Sequence, residues 1–308
     1  MRDAGRSEVL CVGEVLWDAL PAGLFLGGAP FNVACHLRAA GVPAAMVSRI
    51  GDDRLGEEIL RRAALFGVAT DLVQIDPLLP TGFVRVSLDS AGVAAYEIIA
   101  PAAWDAIALG DALLKRASAA RALVFGSLAQ RNPITRDTIE RLWDSDALMV
   151  FDVNLRPPFG HREVVQRSLR RADFVKMSDG ELEQLTAWFD LPAGVNEAAA
   201  ALAEMFTCET VCVTRGERGA GLWHEGAWSE HAGFEVEVQD TVGAGDAFLA
   251  VLLAGLLGGG RASAVLEHAN LIGAYVATQF GAVPTDQGAA TALKQRRADI
   301  PAPGQGRR

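Results

Sequence analysis

The feature that most restricts the fold is an alternation. Short apolar runs at 8–13, 45–50, 122–126, 148–152, 173–177 and 210–214 are separated by stretches of helical periodicity such as 55–66 and 181–189. Runs that short and that apolar suit strands covered on both faces, and a strand-helix-strand order sets successive strands parallel under layers of helix. The pattern predicts a mainly parallel sheet between two helical layers. At 308 residues, one large α/β domain is the natural unit. Ligands in such sheets gather beyond the C-terminal strand ends, which directs attention to the residues just after each run.

One region breaks the alternation. From 81 to 99 the text T-G-F-V-R-V-S-L-D-S-A-G-V-A-A-Y-E-I-I reads as two strands joined by D-S-A-G, a hairpin with no helix between. With 16–26 it is expected to form a small β-layer projecting as a lid over the main sheet. An exposed edge on this hairpin would invite pairing with a second copy, giving a homodimer through the lid. The Pro/Gly/Arg-rich tail after Pro301 is expected to fray.

Charge and cysteine usage narrow the function. The net charge is -10, which argues against nucleic acid or an anionic membrane as a partner, because a phosphate lattice is bound through clustered Lys and Arg. No apolar leader precedes the first strand and no run has the length of a membrane span, so a cytoplasmic protein is expected. Cys11, Cys35, Cys208 and Cys212 lack the spacing of a zinc or disulfide framework and read as buried thiols. The five histidines are scattered without metal spacing.

Two glycine motifs carry the chemistry. In D-T-V-G-A-G-D-A-F at 240–248, Gly243, Ala244 and Gly245 let backbone N–H groups approach an anion, and the helix beginning near Asp246 adds its positive end. Asp246 has two readings on spacing alone: a helix cap, or a base for a hydroxyl held beside the anion. In G-G-A-P-F-N at 27–32, two glycines before a proline at a helix start let the backbone pass close to a ligand, with Asn32 one turn in. An ordinary loop-to-helix junction would look the same. Neither a P-loop nor a dinucleotide fingerprint is present.

Together the two motifs are far more specific than either. G-G-A-P-F-N-V-A and D-T-V-G-A-G-D-A-F resemble the paired signatures of the PfkB, or ribokinase-like, family of carbohydrate kinases. The resemblance runs through G-E-V-L-W-D at 13–18, I-G-D-D-R-L-G at 50–56, F-D-V-N-L-R-P-P at 151–158, V-T-R-G-E-R-G-A at 213–220 and A-N-L-I-G-A-Y-V-A-T at 269–278. It implies a ribokinase-like three-layer α/β/α sandwich spanning 1–308 as a single domain, with a lid from about 14–27 and 80–100.

The resemblance also implies roles. Asp246 matches the catalytic base, and the amides of Gly243, Ala244, Gly245 and Asp246 match the anion hole for the transferring phosphoryl group. Asp18 matches the acid that binds sugar hydroxyls, Gly28 and Asn32 match substrate contacts, and Arg156 stands where substrate and phosphate meet, with a surface ion pair as its alternative. Thr214 and Gly216 match the nucleotide loop, and Asn270 the helix lining the adenine pocket, unless it is a helix-surface amide. Lys176 and Glu181 lie where many members have an N-x-x-E element ordering Mg²⁺ and its waters, but Ser178 stands at the Asn position. Asp240 and Val242 match half of a monovalent cation site, with the Gly281 region as the other half. Trp17 and Trp104 are candidates for a wall of the sugar pocket or for core packing.

The implied activity is ATP-dependent phosphorylation of a small sugar, with Mg²⁺ and K⁺ as ions. The wording of the motifs resembles the fructokinase branch, which points to D-fructose. The alternatives are a 2-keto-3-deoxygluconate kinase, another sugar or nucleoside kinase, and a kinase-fold sensor that binds without turnover. A carboxylated acceptor would need a cation in the lid, where Arg85 on the first hairpin strand is the candidate.

Overall fold

The computed structural model describes residues 7–20, 23–88 and 94–284. In chain order the first elements are β1 (Val9–Val12), β2 (Leu16–Leu20), β3 (Gly23–Gly27), α1 (Ala29–Ala39), β4 (Ala44–Gly51), α2 (Arg54–Leu65) and β5 (Val73–Asp76). Then follow β6 (Gly82–Leu88), β7 (Ala94–Ile98), α3 (Asp111–Ala119), β8 (Ala122–Gly126), α4 (Pro133–Leu142), β9 (Leu148–Asp152) and α5 (Arg162–Leu169). The last part holds β10 (Phe174–Ser178), α6 (Asp179–Phe189), α7 (Val195–Phe206), β11 (Thr210–Thr214), β12 (Ala220–His224), β13 (Ala227–His231), α8 (Ala244–Leu257) and α9 (Ala262–Ala277).

The main sheet has the order β13-β12-β11-β10-β9-β8-β1-β4-β5, parallel from β11 to β5 and antiparallel at β12 and β13. Side chains of β1 show why its run is apolar throughout. Leu10 and Val12 enter a core with α3, α4, α5, α6 and α7, while Val9 and Cys11 enter a second core with α1, α2, α8 and α9. Successive strand residues point to opposite faces, so both must be apolar when both faces are covered. Each fully buried Leu, Ile or Phe in these layers contributes roughly 1.5–3 kcal/mol.

All six expected strands form, with boundaries shifted by no more than one residue. The chain leaves β1 in one direction toward β4 and β5 and in the other toward β8, a reversal that opens a crevice at the C-terminal strand ends. Three strands were not foreseen: β5 and the ribbon β12–β13. The ribbon turns through Glu225 and Gly226, both with positive φ, which is the geometry of a tight hairpin turn.

The expected lid is a four-stranded sheet in the order β3-β2-β6-β7. It is antiparallel except between β2 and β6. The D-S-A-G turn and the tail after Pro301 lie outside the described residues. At the lid's root, Thr81 donates through its amide and hydroxyl to the two oxygens of Asp53, the N-cap of α2, at 2.9 and 2.7 Å. Trp17 and Trp104 are fully buried. The first donates to the Leu55 carbonyl at 3.1 Å and the second lies under the Arg131 guanidinium, so both are packing residues, not walls of a sugar pocket. The four cysteines are buried and free, as expected of structural thiols.

Candidate active site

Both glycine motifs become helix starts. Gly28 precedes α1 and Gly243 precedes α8, each with left-handed φ (104° and 78°) and neither accompanied by a side-chain hydrogen bond from the cap residue. A Cβ on Gly28 would lie 2.5 Å from the Glu14 carbonyl oxygen, and one on Gly243 would lie 2.5 Å from the Ala282 Cα. Only glycine passes at both points.

Between these starts and the strand ends lies a cavity of about 600 Å³. Asp18, Gly28, Asn32, Arg156, Lys176, Glu181, Thr214, Val242, Gly243, Gly245 and Asp246 line it, together with Glu14. Within it Asn32 Nδ2 donates to Asp246 Oδ2 at 2.8 Å. One hydrogen bond thereby joins motifs more than two hundred residues apart in sequence. Because Gly243 holds the cap position and Asp246 is the third helical residue, Asp246 does not cap α8.

Facing the α8 start is Lys176, whose Nζ would lie 3.1 Å from a Cβ added to Gly245. Its ammonium donates to Asp152 Oδ1 at 3.1 Å, both groups buried. Burial alone would lower the Lys176 pKa, but the charges of Asp152, Asp246 and Glu181 outweigh it and hold the amine protonated. Burial pushes Glu14 up to about 7 and Asp18 up to about 6, in each case against the pull of Arg156. Glu14 lies near the Ala29 amide at the head of α1, and among the described residues its buried Oε2 has no hydrogen-bond partner. The Asn32 Oδ1 is likewise buried without a partner, so both atoms stand ready for a polar ligand.

Glu181 uses both carboxylate oxygens on the backbone: Oε1 accepts from Leu155 at 2.7 Å and Oε2 from Ser178 at 2.7 Å. Ser178 in turn caps α6 by accepting from the Glu181 amide, so serine at the Asn position completes a capping box. Among the described residues no cluster of three His, Cys, Asp or Glu side chains could hold a metal directly. Asp240 accepts from the Val242 amide at 3.0 Å and the Gly281 amide at 3.2 Å, which sets the two expected halves of a cation loop side by side.

Two glycine-led helix starts are thus joined across one cavity rich in carboxyls. The profile described as pfkB family carbohydrate kinase matches residues 16–287. The chain belongs to the pfkB family of carbohydrate kinases. A fructokinase of Rhizobium leguminosarum bv. trifolii is 32% identical to this kinase over 80% of this chain and 79% of its own. A fructokinase of Solanum tuberosum is 28% identical over 93% and 95%. The solved structure of the Vibrio cholerae O395 fructokinase, in its fructose, ADP and calcium ion bound form, has a TM-score of 0.78 at 25% identity. It covers 94% of this chain and 99% of that one. The ribokinase-like α/β architecture is thereby shown for the whole described kinase.

Four expected residues of this kinase lie off the cavity wall: Ala244, Asp240, Gly216 and Asn270. Ala244 is the first helical residue behind Gly243, and Gly216 sits in the loop after β11 with φ of 58°. Asn270 is neither a surface amide nor a wall of the cavity. It is buried in α9 and donates to the Leu266 carbonyl at 2.8 Å, one turn back in its own helix. Among the described residues Arg156 makes no ion pair: it donates to the Leu155 carbonyl at 3.1 Å and its charge acts on Glu14 and Asp18. Two acids that the sequence motifs did not single out also stand at the site: Glu14 on the cavity wall and Asp152 bonded to Lys176. Each stands at or just past a strand's C-terminal end, which is the signal that would have found them.

Proposed function

We propose that this kinase transfers the γ-phosphate of ATP to the 6-hydroxyl of D-fructose, giving fructose 6-phosphate and ADP, with 1–308 acting as one domain. One observation carries the reading: the Asn32–Asp246 bond holds the first glycine motif against the second. A hydroxyl bound on the α1 side therefore lies beside a carboxylate at the mouth of an uncapped helix. Asp246 takes the hydroxyl proton as the oxygen attacks the γ-phosphorus and the bond to ADP breaks. The amides from Gly243 to Asp246 receive the negative charge that develops on the phosphoryl oxygens, and Lys176 adds a cation opposite them. Asp18, Gly28 and Asn32 hold the sugar, Arg156 balances phosphate charge, and Thr214 and Gly216 take the nucleotide side. Asn270 enters only as a buried amide of α9.

Charge chooses the acceptor. Glu14, Asp18, Glu181 and Asp246 line the cavity against Arg156 and Lys176, an excess of carboxyls that repels a carboxylated sugar. The lid presents Leu16, Val84 and Ile98 to the cavity, while Arg85 is exposed and pairs with Glu97 at 3.3 Å. A neutral sugar therefore suits the site better than 2-keto-3-deoxygluconate, and the fructokinases among its relatives favour fructose. An intact base and phosphate cradle weigh against a non-catalytic sensor.

Magnesium would arrive on the nucleotide phosphates and neutralise their charge, with Glu181 meeting its waters, since both its oxygens already serve backbone amides. Potassium would sit in the loop that Asp240 closes between Val242 and Gly281. The free thiols suit a reducing cytoplasm, and the edges β3 and β7 of the lid offer a surface for a homodimer. The deciding test is turnover by purified protein with ATP, Mg²⁺ and K⁺ on a panel of sugars and nucleosides. Fructose should give the highest kcat/KM; absence of product from every acceptor would overturn the kinase reading for this chain.

A further inference from the structure

Asp152 belongs to no glycine motif, yet it occupies the most constrained charged position next to the cavity. It ends β9, and Lys176 is its register partner on the neighbouring parallel strand β10. The Val153 amide donates to the Lys176 carbonyl at 2.9 Å and fixes the two strand ends together. Both carboxylate oxygens lie within reach of the ammonium, at 3.1 and 3.3 Å. Among the described residues Lys176 Nζ has no other hydrogen-bond partner, so of its three N–H donors at least one remains for the cavity it lines.

A buried ion pair is a poor way to gain stability, because desolvating two charges offsets most of their attraction. Its place explains it better. The ammonium stands across from Gly245, in the turn whose amides form the uncapped start of α8. Asp152 faces Lys176 from β9, Asp246 from α8, Glu181 from α6 and Cys212 from β11. Of these, Asp152 alone makes a hydrogen bond to it.

We propose that Asp152 is a positioning residue for phosphoryl transfer: it holds the Lys176 ammonium charged and aimed across the α8 start, where the donor's γ-phosphate lies. This rests on the kinase reading given above and adds a division of labour to it. Lys176 touches the phosphate, while Asp152 acts only through Lys176. Without the Asp152 charge only Asp246 and Glu181 oppose the effect of burial, and the amine gives up its proton at lower pH.

Asp152→Asn keeps the shape and an acceptor oxygen but removes the charge. In calorimetry with Mg²⁺, its affinity for the non-hydrolysable analogue AMP-PNP should fall about tenfold, a typical loss for one charge-assisted contact, with ADP affinity nearly unchanged. Its kcat should fall about 10²-fold, the size seen when one donor to a developing charge is removed, with little change in the KM for sugar. The alkaline limb of its kcat profile should move to lower pH. A merely structural role would weaken both nucleotides alike and leave the limb in place, and that result overturns the proposal. If Asp152→Asn does not fold, the double variant Asp152→Leu with Lys176→Met replaces the pair with apolar groups of similar volume. It should lose the preference for AMP-PNP over ADP; a preserved preference overturns the proposal. Failure of the kinase reading is told apart by the wild type, which would then phosphorylate no acceptor at all.

Discussion

The starts of α1 and α8 are built alike and finished differently. Each is led by a glycine at positive φ, each lacks a side-chain cap and each opens on the same cavity. At α1 a buried acid, Glu14, lines the cavity beside Ala29, the first helical residue, and burial pushes its pKa up to about 7, so that below this pH the helix end meets a neutral carboxyl. At α8 the acid of the first turn, Asp246, is bonded to Asn32, and Lys176 stands opposite the helix start. In the proposed reaction the α1 start is a wall for a neutral acceptor and the α8 start a seat for phosphate.

The largest effect should come from removing the charge at the α8 end of the link between them. Asp246→Asn keeps the hydrogen bond to Asn32 in reach but cannot take a proton, so kcat should fall about 10³-fold, within the range of general-base loss, while fructose affinity stays within a few-fold. Steady-state kinetics with separate binding titration reads this directly. Undiminished turnover would show that α8 merely seats the phosphate and that the base lies elsewhere.

Glycine replacements then separate the two starts. Gly243→Ala would drive a Cβ against Ala282, and Gly28→Ala one against the Glu14 carbonyl, each in a left-handed conformation. Strain of this kind costs about 1–3 kcal/mol, so both variants should melt several degrees lower. Their kinetics should diverge: Gly243→Ala should raise the KM for ATP and lower kcat, whereas Gly28→Ala should raise the KM for fructose. The same kinetic change from both would dissolve the distinction between donor and acceptor ends.

A smaller effect should appear in stability against pH. The folded Glu14 carboxyl titrates at about 7 against an ordinary 4.5, so between those values the folded state holds a proton that the unfolded state has lost. Stability therefore falls as pH rises through this window, by about 3 kcal/mol at most above pH 7. Asp18 and Asp152, both raised to about 6, add slopes of the same sign. Glu14→Gln should be more stable than the parent at pH 8 and should show a shallower dependence of melting temperature on pH between 5.5 and 8. An unaltered slope would mean that the acid at α1 is ionised in the fold and that its helix end is neutralised by charge alone.

How far the sequence spoke depended on the length scale of each signal. The six core strands were legible because burial on both faces makes most of their residues apolar, with the polar ones gathered mainly toward the strand ends. The ribbon β12–β13 was not, because A-G-L-W-H and A-W-S-E-H at a sheet edge mix polar and apolar residues and only the E-G turn marks them. Asp18, Asn32, Lys176, Glu181 and Asp246 were placed by motif and all line the cavity. The tie from Asn32 to Asp246 could not be read, since nothing local connects positions so far apart. Glu14 and Asp152 were missed because a single acid beyond a strand has no pattern; their meaning comes from burial and from neighbours on other strands. Asn270 shows the converse: its place in a motif is plain in the sequence, but its burial and its bond to the Leu266 carbonyl are not.

The weakest expected effect tests the acceptor side from its outer surface. If the α1 end receives a neutral sugar, no lid cation is needed, and Arg85 is free to serve as an ordinary surface charge. Its side chain is 62% exposed and its partner Glu97 is 64% exposed, so their pair contributes about 0–1 kcal/mol. Arg85→Ala should leave kcat/KM for fructose within about twofold, as expected of an exposed pair with no seat in the cavity. Its neighbour Val84 faces the cavity and shows that the strand's alternation turns Arg85 away. Turnover of 2-keto-3-deoxygluconate by the parent that collapses in Arg85→Ala would place a carboxylate under the lid. The acceptor end would then need a positive partner of its own, and the contrast between an acid beside α1 and a lysine facing α8 would no longer sort neutral ligand from anion.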